Sequence, residues 1–388
     1  MQTRFAAAIL AAAALAASAF AAEPSLERWR SYTGVSWDAA QGTPFANSAG
    51  APIAGIHFDA KGRAFVSTPR LVAPDAPATL SILDTRATSG PARLSAFPST
   101  AANDIHGAPA AHLRNVLGFH IDRRNGWLWA LDQGFVAGEA EAPPGAQKIM
   151  VIDLVSRKTV KVIPLDAVAD RKGSFLNDIA VDEARRLAFV SDSGLRSAPR
   201  NQAAIIVADF ATGSARRVLD RHPRVLPQAG AKVMSHGEEV WPGKPLVLGV
   251  NGIALSPDAQ TLYWTVTSGT HAWAIPAALL RDPQAKEETL AKAVRDLGDI
   301  EGNTDGIVTG PDGTLYITDV TRNGLAQYDP RKGTLSLLAA HDGVHWPDTA
   351  TIGPDGDVVF TASHLNRHFA GQVKPGEERY ELWRLKRN

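Results

Sequence analysis

Apolar and polar residues alternate along residues 303–319, whose sequence is NTDGIVTGPDGTLYITD. Leu315 and Ile317 alternate with Tyr316 and Thr318, which is typical of a strand with one buried face. The Gly-Pro-Asp-Gly stretch before them supplies the backbone freedom that a tight reversal needs. The pattern therefore predicts a β-hairpin.

Five other segments carry the same pattern: a small or polar start, an apolar run, a polar turn and an aromatic or β-branched return. They are residues 53–68, 116–132, 176–192, 250–266 and 347–362. Aligning the six hairpins brings six residues to one equivalent position, namely Ala54, Leu117, Asn177, Asn251, Asp305 and Asp348. Their separations of roughly 40 to 75 residues are typical of propeller blades, each of which is a four-stranded sheet. The sequence therefore predicts an all-β fold, a six-bladed β-propeller.

Two further segments complete this prediction. Residues 276–297 have apolar residues at helical spacing, which predicts a short helical insertion in blade four. Residues 379–385 alternate like a strand and are expected to close the ring, because propeller termini usually share one blade. We expect the pairing partner of this strand within residues 35–53.

The first 21 residues are predicted to be a signal peptide. Arg4 precedes a short apolar run, and Ala19-Phe20-Ala21 fits a cleavage site. The expected organisation is a signal peptide over residues 1–21 and one propeller over residues 22–388, in a secreted or periplasmic protein. The apolar run is too short to remain as a membrane span, so we expect no span after cleavage.

The charge balance limits the possible partners, and the absence of cysteine limits how the ring can close. Lysine plus arginine and aspartate plus glutamate each number 40, and cysteine is absent. A chain without net charge has no field that favours nucleic acid. A chain without cysteine must close its ring by packing and hydrogen bonds. We expect a small-molecule ligand, no nucleic-acid partner and a monomer.

The long connections are expected on one face of the ring. The second strand of each blade reverses the first, so the start of the first strand and the end of the second lie on the same face. Residues 94–115, 135–147, 195–202 and 220–248 connect blades or strands on that face. Long loops often carry function, and we therefore expect the site there.

Four polar residues of the aligned position suggest a metal site. Asn177, Asn251, Asp305 and Asp348 begin neighbouring inner strands, which converge on the ring axis. Side-chain oxygens on converging strands suit Ca²⁺ or another divalent cation, with backbone carbonyls and water completing the shell. The alternative is that these side chains only bind neighbouring loop amides.

Other residues on this face are candidates for catalysis and for ligand binding. Asp132, Asp192 and Asp319 end the second strands, where a partly buried carboxylate suits a general base; the alternative is that they cap turns or pair with arginine. Aromatic and imidazole side chains are candidates for binding a ligand, with packing between blades as the alternative; they are Trp241, His271, Trp346 and His364.

The chain resembles the major royal jelly protein/Yellow family. The resemblance is clearest in residues 122–134 (DRRNGWLWALDQG), 251–263 (NGIALSPDAQTLY) and Trp346-Pro347-Asp348. It implies a six-bladed propeller. It also implies either binding of small aromatic amines at the channel mouth or conversion chemistry of the dopachrome type.

A second resemblance concerns the inner strands. Asn177-Asp178, Asn251-Gly252 and Asp305-Gly306 are similar to motifs of the gluconolactonase/regucalcin and paraoxonase propellers. The resemblance implies that Asn177, Asn251 and Asp305 hold calcium, whereas the Glu that completes that set corresponds to Ala54 here.

Three hypotheses for the function follow. The first is an exported Yellow-like propeller that binds or converts a small aromatic or cyclic metabolite. The second is a calcium-dependent lactone or ester hydrolase, and the third is a non-enzymatic interaction platform. An enzyme of this kind would be a small-molecule isomerase or a metal-dependent hydrolase.

Overall fold

The computed structural model describes residues 23–37 and 45–386 of the chain. The predicted signal peptide and residues 38–44 lie outside the described residues. Six sheets dominate the fold in the described residues, and each sheet is one blade. Five of them have four antiparallel strands, and the sheet of blade one has a fifth strand, β2. The predicted six-bladed propeller is confirmed.

The strands and helices follow one another in a regular order. Two strands, β1 (Ser25–Tyr32) and β2 (Val35–Trp37), precede blade one, which contains β3 (Ile56–Phe58), β4 (Ala64–Ser67), β5 (Leu80–Leu83) and β6 (Ala92–Ala96). Blade two contains β7 (Val116–Asp122), β8 (Trp127–Asp132), β9 (Lys148–Asp153) and β10 (Thr159–Pro164). Blade three contains β11 (Leu176–Asp182), β12 (Leu187–Asp192), β13 (Ala204–Asp209) and β14 (Ala215–Val218).

A small hairpin separates the first three blades from the last three. It consists of β15 (Met234–Ser235) and β16 (Glu238–Glu239). Blade four contains β17 (Val250–Leu255), β18 (Thr261–Val266), β19 (His271–Pro276), the helices α1 (Ala277–Arg281) and α2 (Glu287–Ala293), and β20 (Arg295–Asp299). Blade five contains β21 (Thr304–Thr309), β22 (Leu315–Asp319), β23 (Gly324–Asp329) and β24 (Thr334–Ala340). Blade six contains β25 (Pro347–Ile352), β26 (Val358–Ala362), α3 (Leu365–Phe369) and β27 (Tyr380–Lys386).

The first and last of the described strands close the ring. The inner strands β3, β7, β11, β17, β21 and β25 contact one another in sequence around the axis. The predicted closing strand is β27, and it pairs with β1. The expectation of a partner within residues 35–53 is wrong, because β2 instead runs parallel to β6 of blade one. Leu26 and Tyr32 anchor β1 in the core, and β1 is the outer strand of blade six.

The helical insertion of blade four is confirmed as α1 and α2. Leu280 of α1 and Leu290 of α2 are fully buried in the apolar cluster that also contains Trp264 and Ile275. Both helices pack on the strands of blade four, so the insertion is part of the core. No helix in the described ranges is long and apolar enough to cross a bilayer.

Candidate functional site at the mouth of the channel

A shared irregularity of the inner strands directs the aligned residues into the channel. In five blades the pairing of the first two strands shifts register near the aligned position. Such a bulge bends the strand and redirects a side chain. In blade five the hydroxyl of Thr318 accepts the N–H of Gly306 over 2.9 Å. A Cβ on Gly306 would lie 2.5 Å from the carbonyl oxygen of Asp348, so only glycine allows the two inner strands to approach this closely.

The polar residues of the aligned position meet in the channel as predicted. Asn177, Asn251, Asp305 and Asp348 line one small chamber of about 60 Å³, and all four are at least nine-tenths buried. Below the chamber the channel narrows, and the space there has a volume of about 10 Å³, which is room for a single water molecule. A cavity of about 460 Å³ lies beyond the constriction, lined by the turns of the opposite face.

The four residues differ in their partners. Asn251 donates its amide hydrogens to Asp305 Oδ1 and to Thr267 Oγ1, the latter over 2.7 Å. Trp346 Nε1 donates to the other oxygen of Asp305 over 2.6 Å. Asn177 donates to Ser193 Oγ over 3.1 Å. Within the described part of the chain, no hydrogen-bond donor reaches the carboxylate of Asp348.

The pKa of each carboxylate in the channel is raised above its ordinary value. Burial raises the pKa of Asp305 to about 7, although the hydrogen bonds from Trp346 and Asn251 oppose the rise. Burial and the neighbouring Asp305 raise the pKa of Asp348 well above its usual range. Burial also raises the pKa of Asp178, which follows Asn177 on the inner strand, to about 6. Three acids of raised pKa therefore occupy one narrow channel, which is typical of functional sites.

The predicted metal ligands lie together, but the ion itself stays a prediction. Carboxylate and amide oxygens of Asp348, Asn177 and Asn251 have the chemistry that a hard cation requires. Both oxygens of Asp305 already accept hydrogen bonds. Among the residues that the structure describes, no three acidic or histidine side chains are grouped as a metal site. The aligned positions of blades one and two are the apolar Ala54 and Leu117.

The three strand-end aspartates are buried and face protein partners rather than the chamber. Each is fully buried, and each accepts backbone N–H groups of an adjacent loop. A cation pairs with each one: Lys148 with Asp132 over 2.7 Å, Arg217 with Asp192 over 2.6 Å and Arg322 with Asp319 over 2.6 Å. Burial raises the pKa of Asp319. These contacts favour a structural role, and the catalytic role stays a prediction.

Above the chamber lies a larger cavity of about 610 Å³, which we call the mouth cavity. Its walls come from the connection between blades three and four, which carries the β15–β16 hairpin, from the loop before β25, and from α3. Trp346 lines both the mouth cavity and the chamber with the four polar residues, and it therefore lies between the two. The lining also includes Ser235, His236, Glu238, Glu239, Trp241, His345, His364, Asn366, Arg367 and Gln372.

Three imidazole rings form a continuous stack in this cavity. The rings of His236 and His345 are 4.1 Å apart at 21°, and those of His345 and His364 are 4.2 Å apart at 16°. Burial lowers the pKa of His345 to about 4 and that of His364 to about 3. Both rings are therefore neutral at pH 7, which allows stacking without charge repulsion.

The cavity holds residues with strained backbones. His236, Trp241, Trp346 and His364 all have φ between 50° and 56°, a region that costs a non-glycine residue on the order of 1 kcal/mol. Side chains hold three of them in place: His236 Nε2 contacts Val344 O over 3.0 Å, Trp241 Nε1 donates to Asn366 O over 3.0 Å, and Trp346 donates to Asp305. Strain of this kind concentrates at binding and active sites.

Three of the four predicted ligand-binding residues meet here. Trp241, Trp346 and His364 all line the mouth cavity. His271 does not line this cavity. It begins β19, the third strand from the axis, where it contacts Asp296 over 2.9 Å and stacks on Trp273. The longest loop contains His236, and His345 precedes Trp346, but no sequence pattern indicates that their rings stack.

The fold and the cavity together define a six-bladed β-propeller with a candidate small-molecule site at one end of its channel. The family model described as Major royal jelly protein matches residues 115–386, more than half of the chain. The protein belongs to the major royal jelly protein family, as the sequence resemblance indicates. A comparison with curated proteins gave no match.

Solved structures share the fold at low sequence identity. A streptogramin B lyase is 13% identical, with a TM-score of 0.51 over 94% of this chain and 98% of the lyase. A luciferin-regenerating enzyme is 12% identical, with a TM-score of 0.52 over 94% of this chain and 95% of the enzyme. A gluconolactonase from Xanthomonas campestris is 16% identical over 86% of each chain, with a TM-score of 0.48. For the lyase and the luciferin-regenerating enzyme, the similarity at these identities shows the propeller fold alone.

Proposed function

We propose that the protein is exported and that it binds or converts a small aromatic or cyclic metabolite in the mouth cavity. The observation that carries this proposal is the stack of His236, His345 and His364 beside Trp241 and Trp346. The chamber with the buried acids Asp305 and Asp348 lies below this stack. A volume of about 610 Å³ lies in the range of small-molecule sites. Aromatic faces bind planar rings through offset or edge contacts.

The buried acids of the chamber, Asp305 and Asp348, are suited to the proton transfers that a conversion of the ligand would require. Asp348 in its protonated form has a hydrogen to donate, and Asp305, with a pKa of about 7, is suited to accept a proton near neutral pH. Two acids with different proton affinities at one end of a ring-shaped ligand suit proton transfer between two of its atoms, which is an isomerisation. The hydrogen bond from Trp346 keeps the carboxylate of Asp305 oriented.

Binding is tested by tryptophan fluorescence quenching and by calorimetry with a panel of indoles and catechols. We expect Trp241→Ala or His345→Ala to weaken the binding of a responding ligand about tenfold, equivalent to about 1.4 kcal/mol. His271→Ala is the matched control, because His271 also stacks on an indole ring but lies outside the cavity. Failure of the whole panel to bind, or an equal effect of His271→Ala, would contradict the proposal.

Calcium-dependent hydrolysis of a lactone or ester is a second candidate. It is favoured by the carboxylate of Asp348, which is buried beside Asp305 without a hydrogen-bond donor among the described residues. Asp348, Asn177 and Asn251 would hold the ion, which would supply polarisation of the substrate carbonyl. A thermal-shift titration with calcium and with chelator tests this candidate. We expect calcium to raise the melting temperature of the wild type but not of Asp348→Asn, and the absence of any shift would remove this candidate.

A further inference from the structure

The channel opens on the far side of the ring into a second cavity, which the proposed function does not use. We call it the opposite cavity; its volume is about 460 Å³. All six inner strands contribute to its wall, and the turns after β7, β11 and β17 form its rim. Among the described residues, none lines both this cavity and the mouth cavity. The two cavities are therefore separate spaces at the two ends of one channel.

Two side chains stand between the opposite cavity and the chamber. The residue that follows the aligned position is a glycine in four blades, namely Gly55, Gly118, Gly252 and Gly306. A Cβ on any of these glycines would lie 2.4–2.6 Å from a neighbouring atom, so the inner strands pack closely at these positions. Blade three instead has Asp178 and blade six has Thr349, and these two blades lie on opposite sides of the ring. Both residues are partly exposed and line the constriction as well as the opposite cavity.

The protein satisfies the carboxylate of Asp178 only in part. Its Oδ1 accepts the N–H of Ile179 over 2.8 Å and its Oδ2 accepts the N–H of Ile253 over 3.3 Å, so each oxygen keeps a free lone pair. Within the described part of the chain, no cationic side chain forms an ion pair with it, and the Thr349 hydroxyl has no hydrogen-bond partner. The inner end of the opposite cavity therefore presents an unpaired carboxylate and an open hydroxyl.

The walls next to these two groups are aliphatic. Ile179, Ile253, Ile307 and Ala350 line the cavity from four neighbouring blades. The cation of Arg124 and the acids Glu183 and Asp258 lie further out, on the turns of the rim. In contrast to the mouth cavity, the described lining includes no tryptophan. The cavity thus combines one buried negative end with an apolar wall that offers no indole face.

From this arrangement we propose that the opposite cavity is a second binding site and that it takes a linear aliphatic amine, with the ammonium group at Asp178 and Thr349. An ammonium group has three donors and no acceptor, which matches the carboxylate and the hydroxyl. The alkyl chain contacts Ile253 and Ile307, and the charge of the ligand compensates a carboxylate that the protein leaves unpaired. The inference goes beyond the proposed function, because it concerns the other end of the channel and a ligand without a ring.

The test compares three ligands that have one chain length and differ in charge: n-hexylamine, hexan-1-ol and hexanoate. Affinities are measured by calorimetry with the full chain at pH 8, where the amine is charged and the pH exceeds the pKa of Asp178, about 6. A chelator keeps divalent cations out of the channel. We expect hexylamine to bind about tenfold more tightly than hexanol, because a charge-assisted hydrogen bond is stronger than a neutral one. Hexanoate should bind more weakly than both.

Two variants of nearly unchanged shape assign the ammonium group. Asp178→Asn should remove the preference for the amine over the alcohol, and Thr349→Val should weaken the amine about threefold. Asp355→Asn is the control for net charge, because Asp355 is exposed on the turn after β25 and does not line the cavity; it should leave the affinities unchanged. Trp241→Ala, which alters the mouth cavity, should also leave them unchanged. Thermal unfolding shows whether each variant is folded, and Thr349→Val carries the assignment if Asp178→Asn is not.

The outcomes separate this inference from the proposed function. Equal affinities of the amine and the alcohol, or an Asp178→Asn variant that keeps the preference for the amine, overturn the inference. Loss of amine binding in Trp241→Ala also overturns it, since the amine would then occupy the mouth cavity. The three ligands have no ring, so their failure to bind leaves the proposed function intact. In the same way, failure of the indoles and catechols to bind leaves the opposite cavity intact as an amine site.

Discussion

The hydrogen bond between Trp346 and Asp305 gives a prediction with a definite size. Trp346→Phe keeps an aromatic ring in the channel and removes the indole donor, which lies 2.6 Å from Asp305 Oδ2. A hydrogen bond to a charged group contributes about 1.5–3 kcal/mol, and one between neutral groups about 0.5–1.5 kcal/mol. The substitution therefore disfavours the ionised form of Asp305 by about 1–1.5 kcal/mol more than the protonated form. At about 1.36 kcal/mol per unit, the pKa of Asp305 should rise by about one unit.

This shift changes how stability depends on pH. The pKa of Asp305 is about 7 in the folded protein, above its ordinary value of 3.8, because of burial. A raised pKa stabilises the fold fully at low pH, and the stabilisation is lost as the pH rises through the folded-state value. In Trp346→Phe the loss continues to a higher pH. The cost of the substitution should therefore be about 1–1.5 kcal/mol larger at pH 9 than at pH 5.

Urea unfolding at both pH values, with a chelator present, measures these costs. Trp264→Phe is the matched control, because Trp264 is fully buried and donates to a neutral acceptor, the carbonyl oxygen of Arg224, over 2.8 Å. Its cost should be equal at pH 5 and pH 9. In an Asp305→Asn background the pH dependence of Trp346→Phe should also disappear. Equal costs of Trp346→Phe at both pH values in the wild-type background would refute the reasoning.

Three other substitutions give expected changes in the free energy of unfolding. Relative to the wild type, Asp348→Asn should be more stable at pH 9 than at pH 5, because it removes a buried acid whose pKa is raised. A pH dependence like that of the wild type would contradict this. Asp132→Ala should cost about 3–5 kcal/mol, since it leaves the fully buried Lys148 unpaired, whereas Glu288→Ala, at an exposed pair, should cost no more than about 0.5 kcal/mol. Leu26→Ala should cost about 2–5 kcal/mol in calorimetric unfolding because Leu26 is buried in the closing blade, and a cost within error of zero would show that closure does not depend on β1.

The sequence predicts the repeats well because each hairpin carries its own signal. Alternation, turn glycines and an apolar start are local features, and six copies reinforce one another. The strand β1 is harder to find, because Glu27, Arg28 and Arg30 interrupt its apolar pattern and a register shift falls between Arg28 and Arg30. Its pairing with β27 depends on a contact between the two ends of the chain, which no local pattern reports.

In the candidate site, too, residues that share a position in the repeat can be predicted from the sequence, whereas residues brought together by separate loops cannot. The polar residues of the channel share one position in the repeat, so alignment of the hairpins is enough to bring Asn251 and Asp305 together. The imidazole stack instead depends on the left-handed backbone of His236 and His364 and on the docking of three separate loops. His271 shows the limit of inference from residue type, since it begins β19, the third strand from the axis, and lies outside the mouth cavity.

The pairing of β1 with β27 has a consequence for how the protein is made. The first described strand, β1, leaves the ribosome before the strands of the five intervening blades, whereas its partner β27 (Tyr380–Lys386) is made after them. Five blades can assemble from consecutive segments during translation, but blade six has to wait for the last of the described strands. Until then β1 lacks its strand partner, and a holding chaperone has that interval in which to bind it.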